Sequence, residues 1–260
     1  MNVKQYIGVD MAKHTFDAAF DDETPVKTFA NTAGGLASFF RTLSALHASK
    51  EYRPSSINIG VESTSHYHLL LCMRAKEHGY TPILINPLIT NKYSQRNIRK
   101  TKTDKIDARI IRYCTAQGEG YAFNETAQTL ALKHFVRDRE YLAKLKWILT
   151  MRESAAADKS RAARYPLPSV NNDILACIKA KMKETEAQLR KYRKPEQTLL
   201  QTIPGVGPLT SAACISEIQD IRRFAHPKYM IAFIGIDTKV HQSGSSIDKY
   251  RHISKRGSSI

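Results

Sequence analysis

Carboxylates in the first half of the chain stand where an ionised group needs a positive partner. Asp10 ends an apolar, β-prone run that starts at Tyr6, and Glu62 ends a similar run that starts at Ile57. A buried strand normally avoids a lone carboxylate, because an ionised group out of water is costly unless it is paired or bound to a metal. We therefore expect a positive group close to Asp10.

A second pair of carboxylates has helical spacing. Asp104 and Asp107 are i and i+3, so they share one face of a helix. Two like charges there cost roughly a few tenths of a kcal/mol unless a cation lies beside them. A capped, solvated helix start explains the pair equally well, because Thr103 is a good N-cap and the helix dipole favours a carboxylate in the first turn.

The predicted strands and helices place these carboxylates at the ends of elements. We predict strands at Tyr6–Asp10, His14–Phe20, Val26–Ala30, Ile57–Glu62 and Tyr80–Ile85, and helices at Leu36–Ala48, from Ser63-Thr64-Ser65 to about His78, and from Asp104 to about Ala116. The order β-β-β-α-β-α-β-α is typical of a ribonuclease-H-like fold. A Rossmann-like sheet would show the same alternation, although no Gly-x-Gly-x-x-Gly follows the first strand.

The positive charge of the chain is unevenly placed. The 260 residues include 40 Lys and Arg against 24 Asp and Glu, a formal net charge of +16. Residues 1–89 hold eight basic and eight acidic residues, so the excess lies entirely in residues 90–260. This asymmetry predicts a neutral folded domain followed by a region that binds a polyanion. A generally basic soluble protein is the plainer alternative.

Two helical arms are predicted at residues 126–194, separated by Arg164-Tyr165-Pro166-Leu167-Pro168. Each arm carries a narrow apolar stripe, which favours a helical hairpin or a coiled coil that serves dimerisation. Ordinary packing onto the rest of the protein would give the same pattern. The stripes are Phe135, Leu142, Leu145 and Leu149, then Ile174, Ile178, Met182, Leu189 and Tyr192.

The last third contains a glycine turn and a serine cluster. Gly205-Val206-Gly207 opens a helix that runs to about Ile218, a pattern typical of helix-hairpin-helix DNA binders, in which backbone amides contact a phosphate. A plain turn between helices is the alternative. Ser243-Gly244-Ser245-Ser246 lies among basic residues and, with no readable triad, is by itself typical of a flexible loop.

Cysteines and hydropathy predict the compartment. Cys72, Cys114, Cys177 and Cys214 are far apart and lack Cys-x-x-Cys spacing, so we expect reduced core thiols. No stretch approaches the roughly 18 apolar residues of a membrane span. We expect a cytoplasmic protein that has no membrane partner.

Five motifs together carry a family resemblance. In chain order they are Tyr6-Ile7-Gly8-Val9-Asp10-Met11-Ala12-Lys13, Val61-Glu62-Ser63-Thr64, Lys102-Thr103-Asp104-Lys105-Ile106-Asp107-Ala108-Arg109, Ile203-Pro204-Gly205-Val206-Gly207 and Ile253-Ser254-Lys255-Arg256-Gly257. Each is weak alone, but their order and spacing are specific. The chain resembles the DEDD-type transposases of bacterial insertion sequences, which include the Piv pilin-gene invertases and the bridge-RNA-guided recombinases.

The resemblance implies an α/β ribonuclease-H-like (RuvC-like) domain over residues 1–118, a mainly α-helical coiled-coil spacer over 119–195 and a small helical C-terminal domain over 196–260. It maps the metal ligands onto Asp10, Glu62, Asp104 and Asp107, and the nucleophile onto Ser243, with Ser245 and Ser246 as weaker candidates. Members usually continue past the Ile-Ser-Lys-Arg-Gly motif, so we expect the C-terminal domain to be incomplete.

The expected activity is cutting and rejoining of DNA strands with Mg²⁺ or Mn²⁺, the ions that oxygen ligands select. The resemblance implies target and donor DNA as partners, a guide RNA encoded by the element, and further copies of the chain in a homodimer or homotetramer. It also implies a location in the bacterial cytosol, in association with the nucleoid. Residues expected to contact nucleic acid are Lys100, Lys102, Lys105, Arg109, Gly205, Gly207, Lys249, Arg251, Lys255 and Arg256.

Two other functions fit the residues. A metal-dependent nuclease of the junction-resolvase type would keep the four acids and need no covalent serine intermediate. A non-catalytic nucleic-acid-binding protein would keep the basic residues, but the presence of all four acids argues against it.

Overall fold

The computed structural model describes residues 4–48, 53–63, 66–95, 104–167, 171–237, 242–243, 246–247 and 253. The chain divides into two compact units, residues 1–123 and 124–260. Among the described residues no helix is long and apolar enough to cross a membrane. The first unit is a mixed α/β domain and the second is mostly helical, which confirms the predicted fold class at this level.

A six-stranded sheet forms the first unit, in the order β3-β2-β1-β4-β5-β6. The strands are β1 Gln5–Met11, β2 Thr15–Ala19, β3 Lys27–Ala30, β4 Ile57–Glu62, β5 Thr81–Ile85 and β6 Tyr121–Ala122. Strands β1, β4 and β5 run parallel to one another, whereas β2, β3 and β6 join by antiparallel pairing. The antiparallel meander of β1, β2 and β3 does not fit the Rossmann-like alternative.

Helices cover both faces of this sheet. They are α1 Ala33–Ala48, α2 His68–Glu77, α3 Pro87–Ser94 and α4 Asp104–Ala116. Ile7 and Val9 of β1 are fully buried in one core with Phe39 of α1 and Leu71 of α2. Successive side chains of a strand point to opposite faces, so Gly8 and Asp10 belong to the other face, where α4 packs.

Two elements of the first unit were not predicted, and one begins later than expected. Asn86-Pro87 reads as the end of a strand, but the Asn86 side chain accepts a hydrogen bond from the Leu88 amide (2.9 Å) and caps α3. Strand β6 lies beyond residue 118, where we expected the domain to end, and is too short to show a period. Helix α2 begins at His68 rather than after Ser63; Thr64 and Ser65 lie outside the described residues.

The second unit contains the two predicted helical arms. Its elements are α5 Ala127–Ala163, α6 Asn172–Lys191, α7 Pro195–Leu200, α8 Pro208–Ile218, α9 Pro227–Ile234, β7 Gln242–Ser243 and β8 Ser246–Ile247. Arms α5 and α6 pack antiparallel, since Phe135 contacts Tyr192 (ring centroids 5.6 Å apart) and Arg139 contacts Glu186 (2.7 Å). The coiled-coil dimer and the three-part domain division remain predictions.

Candidate metal centre and nucleic-acid interface

Two glycines let α4 lie directly on the sheet. A Cβ built on Gly8 would come within 2.1 Å of the Ala108 carbonyl oxygen and 2.3 Å of the Arg112 nitrogen. A Cβ built on Gly60, beside Gly8 on the neighbouring strand, would come within 1.8 Å of Thr115 Oγ1. Both strands therefore need a residue without a side chain where the helix crosses them. We missed this requirement, although glycine inside a strand pattern is a readable sign of close backbone approach.

Asp10 and Glu62 lie at the carboxyl ends of adjacent parallel strands. Gly8 pairs with Gly60 in the β1–β4 register, and each acidic residue follows its glycine by two positions. Strand alternation therefore directs both carboxylates to the face that α4 covers. Both residues are only partly buried, whereas the preceding valines, Val9 and Val61, are fully buried. In parallel sheets this edge is where ligands usually bind.

The acidic first turn of α4 directly precedes the part of the helix that crosses β1. Asp107, which is partly buried, directly precedes Ala108, the residue whose carbonyl lies over Gly8. The structure describes Asp104 in its backbone alone. Among the side chains that are described, no three His, Cys, Asp or Glu residues form a metal-binding group. Convergence of all four carboxylates on one ion therefore remains a proposal, and their oxygen-only chemistry fits Mg²⁺ or Mn²⁺.

Glu62 is held by a residue that the sequence did not single out. Thr90 of α3 is 7% exposed, and its hydroxyl donates a hydrogen bond to Glu62 Oε2 (3.0 Å). No sequence pattern near Thr90 signals its role, because the contact depends on the unpredicted helix α3.

On α4, Cys114 is fully buried, and burial raises the pKa of its thiol to about 11, with the negative charges of Glu119 and Glu62 adding to the shift.

Two arginines of α4 bind the loop that follows β2. Arg109 donates from Nη1 to the Asp22 carbonyl (3.1 Å) and from Nη2 to the Thr24 carbonyl (3.3 Å). Arg112 forms an ion pair with the Asp22 carboxylate. Because β1 and β2 are antiparallel, this loop lies beside the beginning of β1, at the edge opposite Asp10. The arginines of α4 therefore reach the edge of the sheet opposite Asp10.

The residues predicted to bind nucleic acid are only partly described. Lys105 is exposed on α4, and Arg109 is exposed but occupied with the loop. Lys100, Lys102, Lys249, Arg251, Lys255 and Arg256 lie outside the described residues.

The predicted glycine turn joins α7 to α8. Gly205 has a φ of +87°, which favours glycine, and Gly207 is the N-cap of α8. Glycine offers no side chain to the amides of the first helical turn, an arrangement suited to phosphate. Ser243 lies in β7, paired with Ser246 of β8, and the structure describes the backbone alone there.

Comparisons with known proteins agree with the motifs. The DEDD transposase model of the IS110 family matches residues 7–156, and a model described as transposase of the IS116/IS110/IS902 family matches residues 197–260. Pilin gene-inverting proteins of Moraxella lacunata and Moraxella bovis are each 28% identical to this chain over 267 residues, covering 98% of it and 78% of their own length. A probable family 20 transposase of Pseudomonas aeruginosa is 23% identical over 291 residues, covering 99% of this chain and 80% of its own.

Proposed function

The chain belongs to the IS110 family of DEDD transposases, enzymes that cut and rejoin DNA, and we propose that it uses a metal-bound acidic tetrad and a serine nucleophile. DEDD transposases generally use divalent metal ions. The observation that carries the metal proposal is the placement of Asp10 and Glu62 on one sheet face, beneath the helix that begins with Asp104 and Asp107. The proposed nucleophile is Ser243.

A bound Mg²⁺ or Mn²⁺ would polarise the scissile phosphate and offset the charge that develops on it. The Ser243 oxygen attacks phosphorus and forms a phosphoserine ester while the bond from phosphorus to one deoxyribose oxygen breaks. The released sugar hydroxyl takes up the proton that the serine loses. The sugar hydroxyl of a second DNA end then attacks the phosphoserine phosphorus, which restores a DNA phosphodiester and releases the serine hydroxyl. One phosphodiester is replaced by another, so strand exchange needs no external energy source.

A covalent adduct distinguishes this mechanism from hydrolysis. The protein is incubated with end-labelled target DNA and Mn²⁺, denatured and run on a protein gel. Wild type should give protein-bound label, Ser243→Ala should give none, and the matched controls Ser245→Ala and Ser246→Ala should give the wild-type amount. An adduct in Ser243→Ala would refute the assignment of the nucleophile. Cleavage without an adduct in any variant would instead favour the junction-resolvase type of nuclease.

Metal binding is measured separately, by following free Mn²⁺ with electron paramagnetic resonance. Asp10→Asn and Glu62→Gln should weaken Mn²⁺ binding, because each removes one anionic ligand while keeping the size of the side chain. The exposed carboxylate Glu77 supplies the control, since Glu77→Gln should bind as wild type. Equal Mn²⁺ affinity of the wild type and all three variants would refute the proposed metal tetrad.

The proposed partners are DNA and a guide RNA. The relatives invert a pilin gene, as their name states, and we propose that this chain also recombines DNA at chosen sites, guided by an RNA from its own element. RNA should copurify with the protein, and ribonuclease treatment should abolish site choice while leaving Mn²⁺ binding intact. Specific recombination by the RNA-free protein would contradict the guide.

Oligomeric composite sites are the last part of the proposal: the acids of one copy act with Ser243 of another in a homodimer or homotetramer. Mixing inactive Asp10→Asn with inactive Ser243→Ala should then restore part of the strand exchange, because one mixed site is intact. Each variant mixed with itself is the control. No recovery in mixtures that have been shown to exchange subunits would place both groups in one chain.

A further inference from the structure

Helix α3 is fixed against the end of β4 by its connection to β5. Strand β5 pairs in parallel with β4, with Glu62 beside Ile85, and the Ser63 amide donates to the Ile85 carbonyl (3.0 Å). The next residue, Asn86, caps α3, and Pro87 occupies its first position. The first turn of α3 therefore has little freedom relative to Glu62.

The Thr90 hydroxyl faces two acceptors from this turn. Its Oγ1 lies 3.0 Å from Glu62 Oε2 and 3.0 Å from the Pro87 carbonyl. A hydroxyl has one proton, so it can donate fully to only one of them. Pro87 starts the helix, and its carbonyl is placed to accept a backbone amide four residues later. A carboxylate is also a stronger acceptor than a carbonyl, so the Thr90 hydroxyl donates its hydrogen bond to Glu62 Oε2.

We propose that Thr90 is a positioning residue that orients the Glu62 carboxylate for a divalent cation, an inference that rests on the proposed metal site. A threonine side chain has few rotamers in a helix, and Thr90 is almost sealed from water, so its hydroxyl holds Glu62 Oε2 in one place. The loss of such an outer hydrogen bond typically lowers metal affinity about 10–100-fold.

Three variants of Thr90 separate the hydroxyl from its volume. Thr90→Val keeps the shape and removes the donor, Thr90→Ala removes both, and Thr90→Ser keeps the donor. Mn²⁺ affinity measured by electron paramagnetic resonance should fall about 10–100-fold in Thr90→Val and Thr90→Ala, and Thr90→Ser should recover most of it. Circular dichroism identifies any variant that fails to fold, and Thr90→Ala provides the measurement if valine disturbs the packing.

A double-mutant cycle of Thr90 and Glu62 distinguishes positioning of Glu62 from a merely structural role of Thr90. If Thr90 acts through Glu62, adding Thr90→Val to Glu62→Gln should lower Mn²⁺ affinity by less than twofold more, because the oriented carboxylate is already gone. Wild-type affinity in folded Thr90→Val, or a full additional loss in the double variant, would overturn the inference. Failure of the metal site itself looks different, since Asp10→Asn and Glu62→Gln would then bind Mn²⁺ as wild type does.

Discussion

The carbonyl oxygen of Ala108 occupies the space in which a side chain on Gly8 would begin. An added Cβ would lie 2.1 Å from that oxygen, and the backbone of Arg112 closes the other side at 2.3 Å. Backbone atoms cannot rotate away as a flexible side chain can. The close packing of α4 on β1, the strand that carries Asp10, depends on this glycine.

We expect Gly8→Ala to lower the free energy of unfolding by about 1–3 kcal/mol or more, because α4 must move off the sheet. Chemical denaturation followed by circular dichroism measures the change. The control is Gly34→Ala, since a Cβ on Gly34 in α1 meets nothing within 4 Å and alanine favours the helix by about 0.5–1 kcal/mol. Equal stability of Gly8→Ala and wild type would contradict the close packing of α4.

Substitutions of Arg109 and Lys105 should distinguish a structural contact from a nucleic-acid contact on the same helix. Arg109 already donates to two loop carbonyls, whereas Lys105 is exposed. We expect Lys105→Ala to lower the slope of log affinity for DNA against log salt by about 1, and Arg109→Ala to leave that slope unchanged while lowering stability by about 1 kcal/mol or less. Fluorescence anisotropy over a salt series gives the slopes. A loss of slope in Arg109→Ala would assign Arg109 to the phosphate backbone after all.

The parts of the first domain that sequence patterns predicted are those with a strong local period. The mostly apolar runs Tyr6–Asp10 and Ile57–Glu62 predicted β1 and β4. Each run ends in a carboxylate, which is conspicuous because burial of an unpaired charge is costly. Helix α4 was predicted with its observed bounds, because Thr103 is a good N-cap residue directly before Asp104. In these elements local propensity and tertiary packing favour the same structure.

The parts that were missed depend on contacts between distant residues. The bond from Thr90 to Glu62 joins positions 28 apart in the chain, and it exists because β5 returns alongside β4. The exposure of Cys177, which we expected to be a core thiol, likewise depends on which face of α6 meets α5. Spacing along one helix does not reveal which face its partner covers.

The cysteines should differ sharply in reactivity. The thiol of Cys114 is buried with a pKa of about 11, so at pH 8 only about one molecule in a thousand carries the reactive thiolate. Cys177 is exposed. We expect iodoacetamide to label Cys177 in the native protein at pH 8, and Cys114 only after unfolding or as the pH approaches 11. Mass spectrometry of the digested protein locates the label, and rapid native labelling of Cys114 would show that its burial is wrong.

Among the described ion pairs of the second unit, we expect the loss of the Glu217 carboxylate to lower stability most. Its side chain is 13% exposed and meets two cations of α5, Arg137 at 3.0 Å and Lys133 at 3.4 Å. Glu217→Gln would take away the carboxylate that Arg137 contacts and leave Lys133 with Glu125, so we expect the free energy of unfolding to fall by about 1–3 kcal/mol. Glu125→Gln should cost less, because Lys133, which lies 3.5 Å from Glu125, keeps Glu217 as a partner.

The matched control lies on α5 itself. Glu140 pairs with Lys144 at 3.5 Å on the helix surface, and Glu140→Gln should change stability by about 0.5 kcal/mol or less. Thermal unfolding at low and high salt separates the two cases, since salt screens the surface pair more than the enclosed one. Glu217 belongs to α8, the helix that the Gly205-Val206-Gly207 turn opens, so its loss should also weaken DNA binding if that turn holds a phosphate. Unchanged stability in Glu217→Gln would mean that apolar contacts alone hold α8 on α5.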